Sequence, residues 1–446
     1  MTDTQALKAM AQAGIDARRD WLVSVAKAIF ASPELGFHEV ATSRLVSEKL
    51  DELGIRHENG IALTGIKGYL RGDGDGPTVA VIGELDSLKV PGHPNADPAT
   101  GAVHACGHNC QIGMMLGAAV ALAQPEVLNE LSGRVALMAL PAEEFIDVEN
   151  RWRLHKQGRL GLMSGKQEFI RLGAFDDVDM AMMVHTSAGC NDAKFSVGGT
   201  SNGHLVKHVT FMGRAAHAGS SPHRGINALQ AAMVALNAIN AQRETFKDGD
   251  TVRLHGIVTD GGSAANSTPA TARYEGRVRA ASLEAIADAN LKVDRCLRAG
   301  ALALGARVEI VTIPGYLPIV HDPTLMDVFR ENAIALVGRG SFTTQPDGRI
   351  RGGSTDMGDV SHIMPAIHPY TGGASGMGHG EDYAITDYEQ AVIRPAKALA
   401  MSVIDLLANG AAKAREVLAK NPPRMTKQEY LRLQDTRMSE ELYEGR

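Results

Sequence analysis

The 446-residue sequence lacks features that mark several special classes of protein. No run approaches the roughly 20 uninterrupted apolar residues that a membrane-spanning helix needs. Residues 1–20 have no continuous apolar core of the kind found in a signal peptide. No long basic run accompanies the net charge of −6, so nothing indicates a nucleic-acid surface. We therefore expect a soluble protein with neither membrane nor nucleic-acid partners.

Cysteine is also scarce, since the chain has only Cys106, Cys110, Cys190 and Cys296. Their irregular spacing in a long chain is not that of a disulfide framework. A reducing, cytoplasmic location is the expectation. It would leave Cys106 available as a free thiolate.

The chain is too long for one ordinary hydrophobic core, although its 44% hydrophobic and 22% charged residues are normal for a globular protein. Up to residue 200, helical patterns alternate with short apolar runs at Thr78–Ile82, Arg134–Leu140 and Met180–Val184. Such runs are typical of buried strands in a largely parallel α/β sheet. Functional residues are then expected at the carboxyl ends of these strands.

The order of predicted helices and strands changes between residues 201 and 315. The order of apolar patterns there predicts a βαββαβ unit, the ferredoxin-like arrangement, with Ser282 as the N-cap of its second helix. From residue 316 to 446 the helix–strand alternation resumes and completes the first domain. The charged tail beyond Pro422 is expected to form an exposed terminal helix. The predicted fold is a two-domain α/β protein, with a mixed, mostly parallel sheet flanked by helices and an inserted ferredoxin-like domain.

The segment Cys106-Gly107-His108 is the first candidate for chemistry. A thiolate and an imidazole two positions apart at the start of a helix can converge on one or two metal ions. The helix N-terminus would lower the thiol pKa and favour the thiolate. A buried cysteine beside a hydrogen-bonded histidine would have the same sequence, so the segment alone leaves both interpretations open.

Further residues favour the metal interpretation. Glu143 and Glu144 follow Pro141 at a strand end, where one carboxylate can bind metal while its neighbour takes the proton of an attacking water. His185 ends another strand, and a glycine-rich loop at 372–378 leads to a last histidine, His379. Each signal is weak alone, because adjacent glutamates are usually on a solvated surface. Together they provide a mixed N, S and O ligand set sufficient for two divalent ions: Cys106, His108, Glu144, His185 and His379.

Longer segments resemble the metallopeptidase family that contains aminoacylases, hippurate hydrolases, auxin-conjugate hydrolases and glutamate carboxypeptidases. The chain most resembles the aminobenzoyl-glutamate hydrolase branch. The matching segments span most of the chain in family order: Gly83–Leu88, Cys106–Asn109, Pro141–Glu144, Ala216–Gly219, Ser221–His223 and Ser354–Val360. Many members of the family have Asp in place of Glu84 and Asn109, and this branch shares both changes. The segment Val148–Gly165, rich in Arg and Lys, has no counterpart that we can place.

The resemblance implies that Cys106 bridges two metal ions, Mn²⁺ or Zn²⁺, whose other ligands are His108, Glu144, His185 and His379. It implies that Glu143 is the general base and then the general acid. His104 falls outside the ligand pattern. The remaining implied roles are orientation of a ligand by Asp86, oxyanion stabilisation by His217 and substrate contact by Asn266. In relatives the histidine commonly acts across a homodimer formed through the inserted domain.

Arginines are the candidates for binding a substrate carboxylate. Arg279 ends a predicted strand of the inserted domain and could bind a carboxylate bidentately. The pair Arg349 and Arg351 is an equally supported alternative. A surface position for each of them would also fit the sequence.

The expected reaction is hydrolysis of the amide bond of an N-acyl amino acid, with an aryl-acyl glutamate or aspartate favoured. An indole-acetyl amino acid hydrolase, a dipeptidase or an aminoacylase could use the same site. A different mechanism would make Cys106 a nucleophile with His108 as its base, but it leaves Glu143, His185 and His379 without a role. A metal-binding protein without activity would not need Glu143.

Overall fold

The computed structural model describes residues 3–445, without the side chains of residues 347–351. Its α-helices are α1 (Thr4–Ala17), α2 (Arg19–Ala31), α3 (Val40–Glu52), α4 (His108–Leu122), α5 (Pro125–Leu128), α6 (Val148–Lys156), α7 (Gly165–Leu172), α8 (Ala228–Ala241), α9 (Leu283–Leu304), α10 (Pro323–Val337), α11 (Met357–Ile363), α12 (Arg394–Lys420, interrupted at Ala408–Ala411) and α13 (Lys427–Arg437). Its strands are β1 (His57–Ile61), β2 (Gly65–Arg71), β3 (Gly74–Glu84), β4 (Leu88–Lys89), β5 (Ala102–Val103), β6 (Ser132–Leu140), β7 (Met180–Met182), β8 (His185–Thr186), β9 (Phe195–Ser201), β10 (Gly203–Met212), β11 (Arg253–Asp260), β12 (Thr271–Ala280), β13 (Arg307–Pro314), β14 (Phe342–Arg351), β15 (Ala366–Ile367), β16 (Tyr370–Thr371), β17 (Ala374–Ser375), β18 (Ala384–Ile385) and β19 (Ser439–Tyr443). Within these residues, no helix has both the length and the apolar character needed to cross a bilayer.

The central sheet has the strand order β1-β2-β6-β3-β7-β15. Strands β6, β3, β7 and β15 are parallel, while β1 and β2 form an antiparallel edge. Helix α4 packs beside β3 and is buried along its whole length, which explains why it has no polar face. The prediction of a mixed, mostly parallel α/β sheet flanked by helices is confirmed.

Residues 203–314 form the inserted unit in the order β10, α8, β11, β12, α9, β13. Its sheet runs β11-β12-β10-β13, as a ferredoxin-like arrangement requires. Buried and half-buried residues alternate strictly along strand β12, and its even-numbered residues are buried against α8 and α9. Its odd-numbered residues, which include Arg277 and Arg279, therefore lie on the opposite face of the sheet.

The charged tail differs from the exposed helix expected for it. Helix α13 buries Tyr430 and Gln434, and both donate hydrogen bonds to Asp359 Oδ1, at 2.8 and 2.7 Å. The chain then forms β19, which pairs with β13 and adds a fifth strand to the inserted sheet. Arg298 binds Glu441 of this strand through two hydrogen bonds of 2.7 and 2.5 Å. Hydropathy gave no sign of this strand, because pairing with the sheet edge and with Arg298 satisfies its polar groups.

The segment 148–165 contains α6 and a buried arginine. Arg151 is 1% exposed and donates to the backbone oxygens of Ile146, Ala142 and Met163, at 2.7, 3.1 and 2.5 Å, and to that of Glu144. One guanidinium thus satisfies carbonyls on both sides of the loop that follows β6. The basic residue at this position is structural, and it holds the loop that carries the glutamate pair.

We expect Arg151→Met to lower the free energy of unfolding by about 3 kcal/mol, because buried carbonyls would lose their donors. Urea denaturation followed by circular dichroism measures this change. Arg153→Met, on the exposed side of the same helix, is the control and should change stability by less than about 0.5 kcal/mol. Equal effects of the two substitutions would contradict the structural role of Arg151.

Candidate active site

The candidate ligands lie at the carboxyl-terminal edge of the central sheet. His108 begins α4, Glu144 follows β6, His185 begins β8, and His379 lies in the loop between β17 and β18. Gly107 precedes α4 with φ of 89°, and a Cβ there would lie 2.0 Å from Thr186 Oγ1. Only glycine fits this turn, which carries the chain from Cys106 into the helix.

The structure brings the five predicted ligands together as two groups. One contains Cys106, His108 and His185, the other Cys106, Glu144 and His379, and the ligand atoms within each group lie within 4.8 Å of one another. Cys106 Sγ is 3.3 Å from His185 Nε2. Because both groups share Cys106, its thiolate lies between two adjacent candidate cation positions.

The donor set fits divalent metal ions. Nε2 of His108 and Oε1 of Glu144 are buried, and neither makes a hydrogen bond in the described chain. Each atom has a close polar neighbour: Glu84 Oε2 is 3.0 Å from His108 Nε2, and His379 Nε2 is 3.1 Å from Glu144 Oε1. Neither contact has the geometry of a hydrogen bond. Ligand atoms directed at a common ion would be arranged in this way.

The site favours the deprotonated forms of its thiol and carboxylate ligands. Burial raises the pKa of the Cys106 thiol, but His185 and His108 outweigh it and lower that pKa to about 5. Burial likewise raises the pKa of Glu144, and His379 overcomes this and lowers it to about 2. Thiolate and carboxylate are the forms that bind metal.

Asp86 orients two of the ligand residues from beneath. Nδ1 of His108 donates to the Asp86 carbonyl at 2.9 Å and lies 3.2 Å from Asp86 Oδ1. The ring proton is therefore on Nδ1, and Nε2 is left to bind metal. The other carboxylate oxygen of Asp86 accepts from the Glu144 backbone N–H at 2.8 Å.

Glu143 lies in the same cavity but belongs to neither of the two groups that share Cys106. Burial, together with the carboxylates of Glu84 and Glu144, raises its pKa well above the ordinary value. The Tyr316 hydroxyl donates a hydrogen bond to its backbone oxygen. Glu143 can therefore accept and hold a proton next to the candidate cation positions.

A buried ionic cluster beneath the site was missed by the sequence analysis. Lys166 is fully buried, forms an ion pair with Glu84 and lies 2.5 Å from Asp356 Oδ1. Glu84 also accepts from Gln111 Nε2 at 2.9 Å and lies beside His108. A lysine following a basic segment predicts a surface residue, so only the tertiary structure reveals its position.

The site opens into a cavity of about 250 Å³ between the central sheet and the inserted domain. Arg279 lines this cavity, as do three residues that the sequence analysis did not select: Arg277, His204 and His368. The side chains of the alternative arginines, Arg349 and Arg351, lie outside the described residues.

Two predicted residues are absent from this cavity. His217 and Asn266 are exposed on the inserted domain, where Ala218 N donates to Asn266 O at 2.9 Å. Within one chain they therefore do not belong to the site, because their loops follow Met212 and precede Thr271, at the ends of β10 and β12 opposite to His204 and Arg279. His104 is buried near the site and belongs to no candidate ligand group among the described residues.

Known proteins are similar to this chain over most of its length. The sequence model of peptidase family M20/M25/M40 matches residues 80–401. A Xaa-Arg dipeptidase from Mus musculus is 32% identical over 341 residues, covering 74% of this chain and 70% of that protein. An IAA-amino acid hydrolase from Arabidopsis thaliana is 28% identical, covering 79% of this chain and 72% of that protein.

Solved structures share the fold. An aminobenzoyl-glutamate utilization protein from Klebsiella pneumoniae superposes with a TM-score of 0.67 at 19% identity, covering 88% of this chain and 97% of that one. A dinuclear metal-binding M20 peptidase from Bacillus subtilis has a TM-score of 0.63 at 21% identity, covering 88% and 99%. The family match covers well over half of the chain, and the metal-ligand groups lie within it. The chain therefore belongs to peptidase family M20/M25/M40 and is a metal-dependent hydrolase of amide bonds.

Proposed function

We propose that this enzyme hydrolyses the amide bond of an N-acyl amino acid, with an aryl-acyl glutamate or aspartate as the favoured substrate. The observation that carries the proposal is the pair of ligand groups that share Cys106, with Glu143 beside them in one cavity. Two divalent ions held there, Mn²⁺ or Zn²⁺, would supply an activated water and polarise the scissile carbonyl.

The protein's own residues would then have separate roles in binding the ions and transferring protons. Cys106 would hold both ions, with His108 and His185 completing one position and Glu144 and His379 the other. Glu143 takes a proton from the attacking water and passes it to the leaving nitrogen. The raised pKa of its carboxyl favours retention of the proton between the two transfers.

Arg279 supports an amino acid as the leaving group. Its guanidinium lines the cavity and donates to Ser354 Oγ at 3.0 Å, which leaves further N–H groups for a substrate carboxylate. The names of relatives with the same fold or family agree in general terms, because they include aminobenzoyl-glutamate, IAA–amino acids and dipeptides. An IAA–amino acid, a dipeptide or another acyl amino acid is the alternative substrate.

His217 would act from a second copy of the chain. Its Nδ1 accepts from the backbone N–H groups of Gly219 and Ser220, both at 3.2 Å, which leaves Nε2 free to donate to an oxyanion. The inserted sheet ends in β19 on one side and in β11 on the other, and Ile257 on the β11 edge is 63% exposed. Pairing through this edge would cover it and form a homodimer.

We expect Glu143→Ala to lower kcat/KM by about a thousandfold while the bound metal stays unchanged, since general acid–base catalysis is lost. Initial rates and metal content by mass spectrometry measure the two quantities. Glu149→Ala, an exposed carboxylate on α6, is the control and should keep full activity. Retained turnover in Glu143→Ala would exclude Glu143 as the base.

We expect excess EDTA to abolish activity, and Mn²⁺ or Zn²⁺ to restore it, because the ions bind and polarise the substrate. Titration of each ion into the metal-free protein gives the stoichiometry, expected to be two per chain, and identifies the ion that gives the higher rate. Full activity in excess EDTA would instead favour Cys106 as a covalent nucleophile.

Mixing the inactive variants His217→Ala and Glu143→Ala should restore about a quarter of wild-type activity if His217 acts across the dimer. Half of the randomly formed dimers would then be hybrids, each with one complete site. Activity is measured after subunit exchange, which differently tagged chains verify. If exchange occurs without recovery, His217 does not act from the partner.

A further inference from the structure

Arg277 is a second cation beside Arg279 in the active-site cavity. The two arginines are two residues apart on one face of β12, opposite Val206 and His204 of β10. Side chains at this spacing on a strand lie side by side, roughly 7 Å apart at their Cα atoms.

No close ion pair in the described chain neutralises these two arginines, although the carboxylate of Glu144 acts on both of them and that of Glu143 on Arg279. Among the described residues, neither guanidinium forms an ion pair, and their polar contacts are to neutral groups. Arg277 contacts His204 Nε2 at 3.0 Å and donates to the backbone oxygen of Phe145. By contrast Arg273, on the same face of the same strand, is paired with Glu149 at 3.0 Å.

Burial and the neighbouring Arg279 lower the pKa of Arg277 to about 10. Two cations held together out of water are costly unless an anion joins them. An anion in the cavity would relieve this cost.

His204 lines the same cavity and has an unused donor. Its side chain is 1% exposed, and its Nε2 faces the Arg277 guanidinium, which can only donate. Nε2 therefore accepts, and the ring proton is on Nδ1. Nδ1 has no hydrogen-bond partner in the described chain. The cavity thus has more donors than acceptors on this side, which is the complement of a carboxylate.

We propose that Arg277, supported by His204, is a second anion subsite that takes the side-chain carboxylate of a dicarboxylic amino acid whose α-carboxylate lies at Arg279. The proposal rests on the proposed function, because it places the leaving amino acid beside the metal centre. The short aliphatic chain of glutamate or aspartate can join two neighbouring guanidinium groups. The same charges disfavour a cationic residue such as arginine at this position, so the enzyme would differ in specificity from the Xaa-Arg dipeptidases that it resembles.

The test compares 4-aminobenzoyl-glutamate with 4-aminobenzoyl-glutamine, which has the same shape but no side-chain charge. We expect the wild-type enzyme to prefer the glutamate compound by about 10- to 100-fold in kcat/KM, the usual effect of a hydrogen-bonded charge. Arg277→Met should remove this preference by lowering turnover of the glutamate compound alone. Arg279→Met should lower turnover of both compounds to a similar extent.

Two further variants separate recognition from folding. Arg273→Met removes a charge from the same strand face outside the cavity and should keep the wild-type preference. Arg277→Lys keeps the positive charge and should keep part of the preference for the glutamate compound. Equal wild-type rates with the two compounds, or a faster rate with an acyl-arginine, would overturn the subsite.

Calorimetry tests the subsite without turnover. L-glutamate should bind the wild-type holoenzyme more tightly than L-glutamine by about 10-fold or more, and Arg277→Met should abolish the difference. If neither acyl amino acid is hydrolysed but glutamate binds in this way, the proposed reaction fails and the subsite stands. If hydrolysis occurs and the binding difference is absent, the subsite fails and the reaction stands.

Discussion

The main physical constraint on this structure is electrostatic. Several acidic side chains are buried together at one edge of a sheet, and their burial is unfavourable unless their charge is compensated. Glu143 and Glu144 reach this edge on the loop that follows β6, and Cys106 reaches it on the turn that leads into α4. Their mutual repulsion is large at low exposure. Burial and this repulsion favour a protonated Glu143, and cations offset the charge of the others. Lys166 provides an internal cation on the buried side, where it is paired with Glu84 and Asp356. Metal ions would provide the remaining positive charge at the cavity.

The inserted domain provides a complementary face. Its strand β12 separates apolar residues, which pack on α8 and α9, from arginines that reach the catalytic cavity. Phe145 and Tyr316 pack with Val206 of β10 where the two domains meet, and this apolar contact holds the arginines opposite the glutamate pair. One domain thus contributes the candidate metal ligands and Glu143, while the other contributes groups suited to a carboxylate. The buried Arg151 keeps the connecting loop in place by satisfying its carbonyls.

Much of the fold was predictable because apolar periodicity reports directly which side of a strand or helix is buried. The short runs at β3, β6 and β7 and the βαββαβ order of the insert were both read in this way. The tail was not, because β19 is held by backbone pairing and by an arginine–glutamate contact, and neither leaves an apolar pattern. The predicted metal ligands were recognisable only as a set, because each signal is weak alone and their combination in one chain is unusual. Arg277 and Lys166 were not, because long basic side chains are normally solvated.

The sequence by itself determined the fold class, the family and the residue types that can bind two metal ions beside a spare carboxylate. These follow from local patterns and from motifs whose chemistry is contained in a few adjacent residues. Only the tertiary structure decided which residues share the cavity. It placed Arg277 and His204 with Arg279, placed Lys166 beneath Glu84, and left His217 and Asn266 outside within a single chain. The physical reason is that burial and electrostatic neighbours arise from contacts between distant segments, and no local pattern encodes such contacts.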